Sequence, residues 1–219
     1  MSSVPPPPRL LTFDFFGTVL DWRRGLAESL ARRGYTLGDS FDRVIDRQGV
    51  LEQTAFDSYT AIVARSLVDI LGVEAEAAAA IGREAGTWPL YDDSVAAFER
   101  LLPLVPCAAL TNSDRAHGED IQRALGRKLT HWVCAEEALV YKPNSAFWDI
   151  ARVRTGVAFG PEWWHVSAYA DYDLDVAAKL GLTTVFIQRP HARPGPATVQ
   201  VNSLIALAEL VESYARTVQ

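Results

Sequence analysis

Residues 10–21 read Leu10-Leu11-Thr12-Phe13-Asp14-Phe15-Phe16-Gly17-Thr18-Val19-Leu20-Asp21. Leu10 to Phe15 has the apolar run of a buried strand, interrupted by one acid and followed by a glycine turn. A carboxylate at that strand end is placed to attack carbon or phosphorus and form a covalent ester or acyl-phosphate. Gly17 permits the sharp exit, and the backbone N–H groups after it suit an anion. An aspartate that only caps a helix or shapes the turn is the competing reading. Position 16 is Phe and not a second acid, which limits the chemistry open to Asp14.

Beyond this segment the pattern turns helical from about Arg23 to Gly86. Ala27, Leu30 and Ala31 share one helix face, Val44, Ile45, Leu51 and Phe56 a second, and Ala61, Ile62, Ala64, Leu67 and Leu71 a third. The Ala-rich stretch Val73 to Ile81 gives a fourth helix, and Trp88-Pro89 closes the block with an extended link. Helix and strand then alternate. The expected strands are Cys107 to Leu110, Trp132 to Cys134, Trp164 to Ser167 and Thr183 to Ile187. The expected helices are Ser94 to Leu102, Arg115 to Leu125, Asn144 to Arg154, Leu174 to Leu180 and Val201 to Tyr214. Such alternation implies right-handed crossovers and a parallel sheet. The expected fold is α/β, with residues 1–21 and 89–219 forming the sheet core and 22–88 an all-helical cap inserted after the first strand.

Parallel sheets place their chemistry at the carboxyl ends of the strands. Four polar clusters fall there: Asp14, Thr111-Asn112-Ser113-Asp114, Lys142 in Val-Tyr-Lys-Pro-Asn, and Ser167 through Asp173. Thr111 and Asn112 offer a hydroxyl and an amide to a substrate anion, although plain N-capping by Ser113 or Asp114 explains the stretch equally well. Lys142 is suited to balance an anionic nucleophile. Asp173 reads as a general base or a partner for Lys142, and Asp171 and Asp175 as helix-end charges.

Composition narrows the classes. The 219 residues are 49% hydrophobic, enough for one substantial core, and the net charge of -6 argues against nucleic-acid binding. No apolar stretch of about 18 residues exists to span a membrane. Met1 to Arg9 carries four prolines and reads as a short tail. Cys107 and Cys134 lie in apolar runs and read as buried thiols of a cytoplasmic protein. Serine-hydrolase, zinc-protease and Gly-rich nucleotide motifs are absent.

Asp14-Phe15-Phe16-Gly17-Thr18, Thr111-Asn112, Lys142-Pro143 and Asp173, in that order, resemble the haloacid dehalogenase superfamily, most closely its L-2-haloacid (type II) branch. The resemblance covers nearly the whole chain, helical insertion included. It implies a Rossmann-like core, a small-molecule substrate, a homodimer, no cofactor and no metal. It also implies that Asp14 displaces halide from C2 of a small 2-haloacid and that water, oriented by a group such as Asp173, hydrolyses the ester. Lys142 would then position Asp14, Thr18 and Thr111 would hold carboxylates, and Asn112 would help bind the halide or the substrate. Arg47, in Asp46-Arg47-Gln48-Gly49-Val50-Leu51-Glu52, resembles the arginine that the branch supplies from its cap, with a solvent-facing helix arginine as the alternative.

Phosphatase members of the superfamily carry an acid at the position of Phe16 and a metal-binding acid where this chain has Ala168. Both differences favour attack on carbon, since a halide leaves without protonation. The chain also departs from the dehalogenase branch. Phe16 stands for the usual Tyr, and Ala168-Tyr169-Ala170 stands for small polar residues, which places the phenol of Tyr169 beside the substrate. A protein of this fold with a different or lost activity, either a binding protein or an enzyme acting on another carboxylic or carbonyl substrate, is therefore the alternative, followed by a Mg²⁺-dependent phosphatase.

Overall fold

The structure, a computed structural model, describes residues 4–217. The N-terminal tail therefore lies partly outside the described residues. Strand β1 (Leu10–Phe13) enters a run of helices, α1 (Trp22–Ala31), α2 (Phe41–Glu52), α3 (Tyr59–Leu71) and α4 (Ala75–Glu84). Helix α5 (Ser94–Leu101) leads into β2 (Cys107–Thr111), α6 (Arg115–Leu125), β3 (His131–Cys134), α7 (Ala135–Ala138) and α8 (Ser145–Thr155). Strand β4 (Trp163–Ser167), α9 (Asp175–Lys179), β5 (Thr183–Ile187), β6 (Val199–Val201) and α10 (Leu204–Thr217) complete the chain.

The six strands form one parallel sheet in the order β3-β2-β1-β4-β5-β6. Strands β1, β2, β4 and β5 are buried along their full length, as their continuous apolar character requires. The chain leaves β1 for one side of the sheet and returns to its other side at β4. That reversal opens a crevice beyond the carboxyl ends of β1 and β4. Asp14 follows β1, and its N–H still donates to Val166 of β4 at 3.0 Å. Strand β1 is thus shorter than the expected Leu10 to Phe15. After Asp14 the Phe15 carbonyl accepts from Thr18, Val19 and Leu20, and Gly17 takes a φ of +91° to close the turn.

Three elements differ from expectation, the first being the short helix α7, which the sequence pattern does not indicate. Strand β6 occupies a stretch for which the sequence indicates no element, and it takes in Val201, expected to open the final helix, which starts instead at Leu204. Residues Ala170–Leu174 form a π-helical turn before α9, where the sequence indicates a helix from Leu174.

The helical run is fastened to the sheet layer at the start of α6. The buried Asp114 carboxylate accepts from Tyr59 N at 2.7 Å, Thr60 N at 2.9 Å and the Thr60 hydroxyl at 2.7 Å. One acid at the head of α6 therefore satisfies the first amides of α3. Beside it, Asp114 N donates to His117 Nδ1, so the ring proton sits on Nε2 and donates to the Gly82 carbonyl at 2.9 Å. Burial holds the His117 imidazole below its ordinary pKa, which keeps it neutral in this role. Cys107 and Cys134 are buried free thiols. Among the described residues no helix is long and apolar enough to cross a membrane.

Candidate active site

A cavity of about 710 Å³ opens above the carboxyl ends of β1 and β2, and its wall includes Asp14, Phe16, Glu52, Thr111, Lys142 and Tyr169. Asp14 is 2% exposed. Its Oδ2 accepts from the Thr18 hydroxyl at 2.8 Å and its Oδ1 from Lys142 Nζ at 3.0 Å. Thr18 is held in turn, because its hydroxyl accepts from Ala168 N at 3.0 Å. Lys142 is fully buried and also donates to Asp173 Oδ2 at 2.9 Å. The sequence-selected residues Asp14, Thr18, Lys142 and Asp173 thus form one connected cluster at the sheet edge.

Its electrostatics follow from two carboxylates sharing one ammonium. Burial and the nearby Asp173 raise the Asp14 carboxyl above its ordinary range, against the opposing pull of Lys142 and Thr18. Burial acts the same way on Asp173, but Lys142 and His165 overcome it and hold that carboxyl low. Burial would lower Lys142, and the two acids reverse this, so its ammonium is retained. Asp173 itself lies behind Lys142, off the cavity wall, as a positioning residue. His165, not singled out from sequence, stands 3.0 Å from Asp173 Oδ1 without good alignment and meets the Thr12 hydroxyl at 2.8 Å. As one histidine in an apolar strand, it carries no sequence signal for that placement.

The expected substrate-binding residues divide. Phe16 and Thr111 line the cavity, and the buried Thr111 hydroxyl has no partner among the described residues. Asn112 also lines the cavity, but its amide is committed. It donates to Glu52 Oε2 at 3.2 Å and the Lys142 carbonyl at 3.0 Å, and accepts from Lys142 N at 2.8 Å. Arg47 stands apart from these residues. It is off the cavity wall and paired with Asp69 of α3 at 2.6 Å. Gln48 and Glu52, four residues apart, share the face of α2 that meets the cavity. Arg47 is turned about 100° from Gln48 by the helix repeat. Trp22, Phe56 and Tyr59 also line the cavity, whereas Trp88 packs on Gly25 and donates to Ser29 at 3.0 Å.

Tyr169 fits because position 17 is glycine. A Cβ there would lie 2.2 Å from the Tyr169 hydroxyl oxygen, which accepts from Trp22 Nε1 at 3.0 Å. Arg193 is a cavity residue that the sequence hides in a Pro-rich loop. Its backbone pairs with Ala168 and Ala170, and its guanidinium spans Asp46 at 2.9 Å and Asp171 at 3.6 Å.

The geometry can be set beside known proteins. No family model matches the chain, and no curated protein sequence matches it significantly. Solved structures do. An L-2-haloacid dehalogenase superposes with a TM-score of 0.81 at 24% identity, covering 94% of this chain and 99% of that one. The L-2-haloacid dehalogenase from Xanthobacter autotrophicus, with chloropropionic acid covalently bound, gives 0.78 at 16%, covering 94% and 98%. This is the L-2-haloacid dehalogenase fold. A defluorinating L-2-haloacid dehalogenase shares it at 0.79 and 21%, covering 97% and 100%. So does a HAD-hydrolase from Bacillus subtilis bound to magnesium, at 0.77 and 15%, covering 94% and 99%.

Within the dehalogenase fold, the donors present here do not suit a divalent ion. Lys142 Nζ occupies the place between Asp14 and Asp173, Ala168 offers no oxygen from its side chain, and Asp171 turns to Arg193. Among the described residues no three His, Cys, Asp or Glu side chains are grouped to hold a metal.

Proposed function

We propose that the protein is a metal-independent hydrolase that displaces halide from C2 of a small 2-haloacid or its acyl derivative through an ester on Asp14. The observation that carries this reading is the Asp14 carboxylate. It is buried at the cavity floor, fixed by Lys142 on one oxygen and Thr18 on the other, with Phe16 where an acid would protonate an oxygen leaving group. In the first step an Asp14 oxygen bonds to C2 and the carbon–halogen pair leaves with halide. Water then adds to the Asp14 carboxyl carbon and the acyl–oxygen bond breaks. The 2-hydroxy product and a proton are released and Asp14 is regenerated. Asp173, buried behind Lys142 and off the cavity wall, holds that ammonium in place through both steps. Residues 22–88 act as the cap that closes the cavity. A cytoplasmic homodimer belongs to the same proposal.

In ¹⁸O water with 2-chloropropionate or 2-chloropropionamide, mass spectrometry of the Asp14 peptide should find label on the carboxyl. Asp14→Asn should reduce halide release by about a thousandfold or more. Unlabelled Asp14 during turnover would overturn the ester route. A second reading, a different reaction on a carbonyl compound, is favoured by one observation. Asn112 and Arg47 are both engaged elsewhere, so neither is left to cradle a halide. Turnover that survives in Asp14→Asn would support it.

A further inference from the structure

The charges around the cavity favour an acyl derivative over the free 2-haloacid. Lys142 is neutralised twice over, by Asp14 and Asp173. Arg193 is likewise spent on Asp46 and Asp171. Arg47 faces Asp69 outside the cavity. Among the described residues, no cation on the wall is left unpaired for an incoming carboxylate, while Glu52 adds one more acid beside Asn112. Coulomb repulsion from an acid-rich, low-dielectric wall opposes an anionic ligand. The space is also far larger than a three-carbon acid fills, and 710 Å³ is in the range that encloses molecules with a sizeable apolar body. Phe16, Trp22, Phe56 and Tyr59 supply the matching apolar surface.

Resting on the reading that Asp14 attacks carbon, we infer that Glu52 makes this cavity select an uncharged halogenated amide with an apolar substituent over the corresponding carboxylate. The amide carbonyl would accept from the free Thr111 hydroxyl, and the amide group would share a hydrogen bond with the Glu52 carboxyl. Burial raises Glu52 to about 8, opposed by Lys142 and Asn112 and reinforced by Asp14. Tyr59, Tyr141 and Tyr172 also face it, each with its hydroxyl pushed upward by burial and by Glu52 itself among other charges. At neutral pH Glu52 is therefore mostly a neutral donor. As the pH rises through about 8 it becomes a carboxylate and repels an anionic ligand further.

Two unreactive probes test this, 3-phenylpropanamide and 3-phenylpropanoate, titrated by tryptophan fluorescence from pH 6 to 9. At pH 9, where Glu52 is a carboxylate, the amide should bind at least about tenfold more tightly. The preference should widen as the pH passes about 8 in the wild type and stay flat in Glu52→Gln. Equal or tighter binding of the carboxylate at pH 9, or an unchanged pH dependence in Glu52→Gln, would overturn the inference. Halide release from 2-chloro-3-phenylpropanamide is then measured separately. Amide binding without halide release would overturn the nucleophile reading and leave the ligand class standing.

Discussion

Lys142 is the residue on which the buried charges balance. Two carboxylates, Asp14 and Asp173, rest on its single ammonium with almost no solvent contact. Replacing it with Met would leave both acids unpaired in the interior, at a cost of about 3–5 kcal/mol. Thermal or urea unfolding of Lys142→Met should show that loss. The variant should regain part of it on acidification. Unpaired buried carboxylates take folded pKa values above their unfolded ones, so the folded state binds more protons as the pH falls through them. No recovery at lower pH would mean that the loss came from packing. Asp14, Thr18, Lys142 and Asp173 were legible in the sequence because each stands just beyond an apolar strand or at a fixed place in a motif. Glu52 was not. It lies five residues from Arg47 in the same quoted stretch, and the phase of α2 against the sheet, set by tertiary packing, decides which of them faces the cavity.

At the scale of elements, the turn after β1 and the π-helical turn after β4 are shaped for each other. Tyr169 replaces the small polar residue expected there, and its ring fills the space above Gly17. Gly17→Ala would force a side chain into a left-handed backbone and against that ring, costing about 1–3 kcal/mol. If the clash with the phenol dominates, Gly17→Ala with Tyr169→Ala should be less destabilised than the two single losses added together. A double-mutant cycle on unfolding free energies measures this, and additive losses would place the whole cost in the backbone. The sheet itself was legible from apolar runs bounded by turns. Strand β6 escaped because two half-buried valines around an exposed Gln200, after a Pro-rich loop, carry too short a pattern. The π-helical turn escaped because no periodicity distinguishes it from the first turn of a helix.

At the scale of the molecule, the join between the helical run and the sheet layer passes through Asp114. The carboxylate belongs to α6 but satisfies donors of α3. First-turn amides normally exchange their hydrogens by fraying, which needs little free energy. Those of Tyr59 and Thr60 are tied to an acid of the other layer, so fraying them requires parting the two layers. Their exchange should follow global unfolding, with protection close to that of β1. Asp114→Ala should lower stability by about 1–3 kcal/mol and drop those two amides to the rates of ordinary helix ends. Native-state hydrogen exchange resolves the difference, and fast exchange at Tyr59 in the wild type would refute it. The protein then has no loose first turn on α3, and the segment beside its cavity keeps time with the whole chain.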